Sequence, residues 1–151
     1  MDSQMVLALS GPDNVGKSTQ LRILTRRCLP KAGSAGALHE YDPRWPAIVA
    51  GGMATWWFTA SSIEELADVL AASYLNRHAD IEHRPEPQLL DRGVPMLEAC
   101  LAATISVREG LTEDDAYREA LRLLHRYHSR LQAAERRETP ICQARVGHGT
   151  G

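Results

Sequence analysis

The sequence predicts an α/β protein in which a parallel sheet is flanked by helices. Short apolar runs that suit buried strands alternate along the chain with longer segments whose apolar residues recur at helical spacing. This alternation favours parallel pairing, because each helix carries the chain back across a face of the sheet. The 151 residues, 44% of them hydrophobic, fit one domain over residues 1–151, and a loose tail is expected from about residue 144.

The first part of the chain predicts a strand, a helix and a second strand. Residues 5–9, "MVLAL", are an apolar run that ends at a turn signal, as in a buried parallel strand. Residues 18–29 predict a helix that a proline ends. Leu21, Leu24 and Cys28 lie on one face of this helix. Arg22 and Arg26 lie on another. A loop at 31–37 then leads to a second strand beginning in 38–46, "LHEYDPRWP".

The rest of the chain predicts three helices and two strands. Ser62 and Glu65 have the spacing of a capping box, which starts a helix that "HRPEP" breaks at 83–87. The remaining elements are a strand at 88–93, a helix at 94–107, a helix from Thr112 to the proline at 140, and a short strand at 141–146.

Charge and cysteine content indicate a cytoplasmic protein without a membrane or nucleic-acid partner. The net charge of −2 provides no global positive field for nucleic acid. The longest uncharged run, at 46–62, is shorter than the roughly 20 apolar residues of a membrane span. Cys28, Cys100 and Cys142 are odd in number and widely spaced, which favours reduced thiols.

A phosphate-binding loop is predicted between the first strand and the first helix. Gly11 and the run Gly16-Lys17-Ser18 fit the G-x-x-x-x-G-K-S pattern in its required context. Glycines let successive backbone amides point at phosphate oxygens, and the start of the helix adds its positive end. Lys17 suits the β- and γ-phosphates, and the Ser18 hydroxyl suits Mg²⁺. The alternative is a glycine turn that matches by chance.

The segment from Gly11 to Gln20, "GPDNVGKSTQ", resembles the thymidylate kinases and their relatives among the nucleoside monophosphate kinases. The similar features are an aspartate two residues after the first glycine and a Ser-Thr-Gln run after the lysine. A second resemblance is "LLDRG", with Asp91-Arg92 at the end of the third strand. The resemblance covers about residues 5–105. It implies a three-layer P-loop NTPase fold and a kinase that uses ATP and Mg²⁺ to phosphorylate a nucleotide or another small acceptor.

The resemblance also implies roles for individual residues. Asp91 lies where strand ends deliver ligands, so it is expected to hold Mg²⁺ with Ser18 or to orient the acceptor. Arg92 suits an acceptor phosphate, since its planar fork matches phosphate oxygens. The donor phosphates would be bound by Gly11, Asn14, Val15, Gly16, Lys17, Ser18 and Thr19, and the acceptor would be approached by Asp13, Arg44 and Arg77. Asp91-Arg92 as a surface ion pair, and Arg44 and Arg77 as solvated side chains, are the alternatives.

Two departures from the family limit the prediction. The family's aromatic residue near the deoxyribose is replaced here by the neighbourhood of Leu97 and Cys100, which puts thymidylate as the acceptor in doubt. The aromatic run at 56–58, "WWF", is either a stacking wall for a flat substrate or plain core packing.

His125 and His128 have a metal-compatible spacing but are interpreted as a helix-surface pair.

The second departure is at the C-terminus, where the family's lid helix and adenine-contacting loop have no counterpart. The fold is therefore expected to be shortened there, with an exposed sheet edge that favours a homodimer. Two other functions stay open on this ground. They are a nucleotide-binding module or pseudokinase without efficient turnover, and a simple ATPase.

Overall fold

A computed structural model describes residues 5–11 and 16–141 and, for residues 139–141, the backbone only. Asp13, Asn14, Val15 and the predicted tail lie outside the described residues. Within them, the chain is mixed α/β, as predicted, with a small parallel sheet and helices packed against it. None of the described helices has the length and apolar character that crossing a membrane requires.

The sheet has the strand order β2-β3-β1-β4, and every neighbouring pair is parallel. Its strands are β1 (Val6–Leu9), β2 (Gly33–Ser34), β3 (Gln88–Asp91) and β4 (Glu138–Ile141). The predicted strands at 5–9 and 88–93 are confirmed as β1 and β3. Because these two strands pair directly, the loops that follow them start side by side at one edge of the sheet.

Seven helices occur in the described part of the chain, two of them very short. They are α1 (Lys17–Arg27), α2 (Trp45–Ala50), α3 (Met53–Thr55), α4 (Ile63–Ile81), α5 (Val94–Glu109), α6 (Glu113–Leu124) and α7 (His128–Arg137). One π-helical segment, Trp56–Ala60, continues α3, and short 3₁₀ segments lie at Leu38–Glu40 and His125–Tyr127. The predicted helices at 18–29, from Ser62 and from residue 94 are confirmed as α1, α4 and α5.

The main core lies between α4 and the three helices that follow β3. Leu66, Val69, Leu101 and Ile105 are fully buried in it, and α6 and α7 contribute mainly alanines and leucines. A smaller cluster on the sheet joins Val6, Ala8, Ile81 and Leu90. Residues along α4 contribute to both clusters, so α4 connects the helical layer with the sheet beside the predicted site.

The second strand was predicted in the wrong place. The segment at 38–46 forms a 3₁₀ turn and the start of α2, because a proline at the second position of α2 suits the first helical turn. The strand lies instead in the predicted loop, at Gly33–Ser34. A Cβ at Gly33 would lie 2.6 Å from Nε2 of Gln88, so a side chain at this position would require the Gln88 side chain to shift.

The end of the chain also differs from the prediction. The single helix expected from Thr112 is interrupted at His125–Tyr127, and α7 gives way to β4 at Glu138, three residues before the predicted strand. The proline at 140, predicted to end a helix, lies within β4. In the described strand order β4 is at the edge, where a proline is tolerated. Both histidines of the predicted surface pair are exposed, as expected.

The turn between α5 and α6 is specified locally. Gly110 ends α5 in a left-handed conformation, with φ of 67°, which glycine adopts without strain. Thr112 then begins α6, and its hydroxyl accepts a hydrogen bond from the amide of Asp115 at 3.2 Å. Three acidic residues in the first turn of α6 complement the positive end of the helix.

We expect Thr112→Ala to lower the free energy of unfolding by about 1 kcal/mol, because it removes the cap of α6. Thr112→Ser keeps a hydroxyl in the same place and should retain most of that stability. Urea denaturation of the three proteins measures the difference. Equal stability of the alanine and serine variants would show that the cap contributes nothing.

Candidate functional site

The glycine-rich loop leads directly into α1. Gly16 is the residue before the helix and has φ of 84°, a left-handed conformation that favours glycine. Lys17 is 6% exposed, and its Nζ donates a hydrogen bond to the carbonyl of Gly11 at 3.0 Å. Both ends of the predicted phosphate loop are therefore held together by its own lysine. Ser18 and Thr19, on the first turn, are exposed.

The end of β3 lies next to the start of this loop. Asp91 pairs with Leu9, the last residue of β1, and the amide of Arg92 donates to the carbonyl of Leu9 at 2.9 Å. Arg92 has φ of 71°, an unfavourable left-handed conformation for a residue with a side chain. The predicted Asp-Arg pair therefore forms a tight turn beside the end of β1, where the predicted phosphate loop begins.

Arg77 holds this turn from α4. Its two terminal nitrogens donate to the carbonyls of Asp91, at 3.1 Å, and Arg92, at 2.6 Å. The guanidinium lies 4.7 Å from the ring centre of Tyr74, whose hydroxyl donates to the carbonyl of Gly93 at 2.9 Å. Arg77 is 2% exposed. The alternative of a solvated Arg77 does not hold, and the side chain fixes the strained backbone that carries Asp91.

Glu138, at the start of β4, supports the same turn from the other side. Its carboxylate accepts a hydrogen bond from the amide of Val94 at 3.1 Å and lies 2.7 Å from Nε2 of His78. A Cβ at Gly93 would collide with this carboxylate, which explains the glycine after the Asp-Arg pair. His78 is buried beside this carboxylate, with 6% of its surface exposed.

A cavity of about 690 Å³ opens beside the turn. Its walls come from α1, the segment 34–39, the region of α2 and α3, α4, and the end of β3. Ser18, Asp91 and Arg92 all line it, so the structure brings together residues predicted for metal and for acceptor. The Oδ1 atom of Asp91 is buried and has no hydrogen-bond partner among the described residues.

Aromatic side chains form one wall of the cavity. Trp45 and Trp57 line it together with Tyr74. The indole nitrogens of the two tryptophans donate to Ser73, at 2.8 Å, and Thr104, at 2.9 Å, which fixes both rings. The sequence left open whether the aromatic run lines a substrate or packs in the core. Within that run the structure places Trp57 at the cavity, while Trp56 packs edge-on against Trp45 with ring centres 5.7 Å apart.

Arg44 lies outside the cavity lining and is bound by carboxylates. Its guanidinium donates two hydrogen bonds to the carboxylate of Asp42, each 2.8 Å long. It donates a third to the carboxylate of Asp68 at 2.6 Å. Asp68 also accepts hydrogen bonds from Arg126 and Tyr127, which ties α4 to the 3₁₀ segment before α7. The hydrogen bond from Arg44 lowers the pKa of Asp42, and the same contact raises the pKa of Arg44.

Some cavity residues were not predicted as site residues. Arg22 and Arg26 of α1 line the cavity, although the helical pattern gave them no functional role. Helical spacing shows which residues share a face, but not whether that face meets solvent or a cavity. Within the described residues, no cluster of three or more His, Cys, Asp or Glu side chains is arranged to hold a metal ion.

We expect Arg77→Gln to lower the free energy of unfolding by about 2 kcal/mol, because two buried carbonyls lose a charged donor. The matched control is Arg118→Gln, since the Arg118 side chain is 75% exposed and pairs only at the surface. Its effect should stay within about 0.5 kcal/mol. Urea denaturation compares the two, and equal effects would contradict the anchoring role of Arg77.

The Asp42–Arg44 contact predicts a pH-dependent contribution to stability. Since the folded-state pKa of Asp42 is below its ordinary value of 3.8, the contribution is present above that value and is lost as pH falls through the folded pKa. Asp42→Asn should therefore destabilise the protein near neutrality and lose less stability than wild type on acidification. Chemical denaturation at a series of pH values measures this. Parallel pH profiles would contradict it.

The chain was also compared with known proteins. No family model matches it, and no match was found among curated proteins or solved structures. The loop at 11–18, the Asp91-Arg92 turn and the cavity between them are the features on which a function is proposed.

Proposed function

We propose that this protein is a P-loop phosphotransferase, a thymidylate kinase-like enzyme that moves the γ-phosphoryl group of ATP to a small acceptor with the help of Mg²⁺. The observation that carries the proposal is the common cavity of Ser18, from the phosphate-loop pattern, and Asp91, from the end of the neighbouring strand. A kinase needs donor and acceptor held in line at such a place.

The start of α1 supports binding of the triphosphate. Gly16 provides no side chain to cap the helix, and the first turn of Lys17–Arg27 contains no acidic residue, so its amides are suited to an anion. Lys17 already lies over the loop, on the carbonyl of Gly11. In the proposed complex its ammonium group also contacts the β- and γ-phosphate oxygens, where its charge offsets theirs.

The chemistry of the cavity fits Mg²⁺. Ser18 and Asp91 offer a hydroxyl and a carboxylate, the oxygen ligands that this ion prefers, and waters and phosphates commonly complete its shell. The unpartnered Oδ1 of Asp91 would gain an interaction on binding. When bound, the ion supplies positive charge between the phosphates.

The transfer step then needs an acceptor beside the γ-phosphate. An acceptor oxygen forms a bond to the γ-phosphorus, the bond to the bridging oxygen breaks, ADP leaves, and any acceptor proton passes to water. Arg92 lines the cavity and offers a planar pair of donors to an acceptor phosphate or to the moving group. Arg77, bound to the backbone of the turn, acts as a positioning residue.

We expect Lys17→Ala to weaken ATP binding by at least about tenfold and to abolish turnover, because it removes the charge that faces the phosphates. Lys31→Ala is the matched control, since Lys31 is exposed and lies in the loop after α1. Calorimetry with ATP and magnesium measures binding, and release of ADP measures turnover. Equal ATP affinity in the two variants would contradict the proposed loop.

We expect Arg92→Ala to leave ATP affinity close to wild type and to raise the KM for the acceptor by about tenfold or more. A panel of nucleotides and small hydroxyl compounds identifies the acceptor first. Acceptor-dependent ADP release supports a kinase, whereas phosphate release without any acceptor would indicate a simple ATPase. Unchanged acceptor kinetics in Arg92→Ala would remove Arg92 from the acceptor site.

A further inference from the structure

The described lining of the cavity is rich in positive charge. Among the described residues, four arginines line the cavity, Arg22, Arg26, Arg77 and Arg92, against a single carboxylate, that of Asp91. This excess contrasts with the net charge of −2 for the whole chain. Positive charge concentrated in a cavity raises the local concentration of anions and favours their binding.

Two of the four arginines lie away from the expected reaction centre. Ser18, Arg22 and Arg26 are spaced four residues apart, so they follow one face of α1, and all three line the cavity. At a rise of roughly 1.5 Å per residue, Arg22 is about 6 Å and Arg26 about 12 Å beyond Ser18 along the helix axis. Arg22 also donates to the hydroxyl of Thr19 at 3.3 Å, which favours an orientation along the helix.

The arginines predicted from the resemblance do not supply this distal charge. Arg77 uses both terminal nitrogens on backbone carbonyls of the turn, and Arg44 is bound by Asp42 and Asp68 outside the cavity lining. Arg92 is next to Asp91, at the reaction centre. The positive charge at the far end of the cavity therefore comes from α1.

The lining of the cavity also includes large apolar side chains. Trp45, Trp57 and Leu70 line it, and hydrogen bonds to Ser73 and Thr104 hold both indole rings. Fixed aromatic rings favour a flat, apolar body that stacks or packs on them. The volume of about 690 Å³ is within the range of pockets that enclose a small organic molecule.

We infer that the cavity takes a flat, ring-bearing molecule with two polar ends, an oxygen nucleophile near Asp91 and an anionic group bound by Arg22 and Arg26. That this molecule is the phosphoryl acceptor rests on the proposed function. Such a molecule differs from a nucleoside monophosphate acceptor, in which the charged end is the one that reacts and the remote end is a neutral base. A carboxylate or a phosphate would suit the distal pair equally, since both match guanidinium donors.

Binding of two matched probes tests the inference without depending on turnover. The first is a biphenyl with a hydroxyl at one end and a carboxylate at the other, and the second has a neutral carboxamide in place of the carboxylate. Calorimetry on the wild-type protein should show the carboxylate binding at least about tenfold more tightly, with a preference that falls as salt is added. Equal affinity for the two probes would overturn the inference.

The double variant Arg22→Gln with Arg26→Gln should lose the preference for the carboxylate while keeping its affinity for the carboxamide. Arg27→Gln is the control, because Arg27 is an exposed arginine of the same helix outside the cavity lining. If the double variant misfolds, it will bind neither probe. In that case the single variant Arg26→Gln is used instead, and it should show a smaller preference for the carboxylate over the carboxamide. A preference that persists in the folded variants would overturn the assignment to α1.

ATP binding separates this inference from the proposed function. The double variant should bind ATP and magnesium as wild type does, because both arginines lie beyond the first turn of α1. If wild type selects the carboxylate probe but transfers no phosphoryl group to any acceptor, the proposed kinase activity is wrong and the anion site stands. If the wild-type protein transfers a phosphoryl group but binds the two probes with equal affinity, the proposed anion site is wrong and the kinase activity stands.

Discussion

The turn after β3 is the constraint on which the rest of the site depends. Arg92 is held in a left-handed conformation that a residue with a side chain adopts at a cost of about 1 kcal/mol or more. Such a conformation persists only when its surroundings fix it, and here Arg77, Tyr74 and Glu138 contact the turn or the residues that follow it. These contacts come from α4 and β4, so the position of Asp91 follows from the packing of the whole domain.

The cavity is fixed by the same helical layer. Trp45 and Trp57 donate to hydroxyls on α4 and α5, the two helices that also border the main core. Arg108, on α5, donates to the carbonyls of Trp57 and Ser61 at 3.1 and 2.6 Å. The two tryptophans of the cavity wall are therefore held by hydrogen bonds to or from α4 and α5.

Local sequence signals predicted the elements that meet at the site, but not the contacts between them. The apolar runs at β1 and β3 and the capping residue of α4 were sufficient to place these elements correctly. The two-residue strand Gly33–Ser34 has no apolar signal, and it is defined by its backbone pairing with Gln88 and Leu89 of β3. The burial of Arg77 and His78, and the cavity face of Arg22 and Arg26, depend on partners distant in the sequence, which periodicity does not report.

The position of Glu138 has a consequence for synthesis on the ribosome. Its carboxylate meets the ring of His78 and the amide of Val94, residues 60 and 44 positions earlier in the chain. A nascent chain that has exposed β1 and β3 still lacks the acceptor for that amide. The Asp91-Arg92 turn therefore reaches its final environment only once Glu138 has joined the fold, so the pairing of β1 with β3 in a growing chain does not complete it.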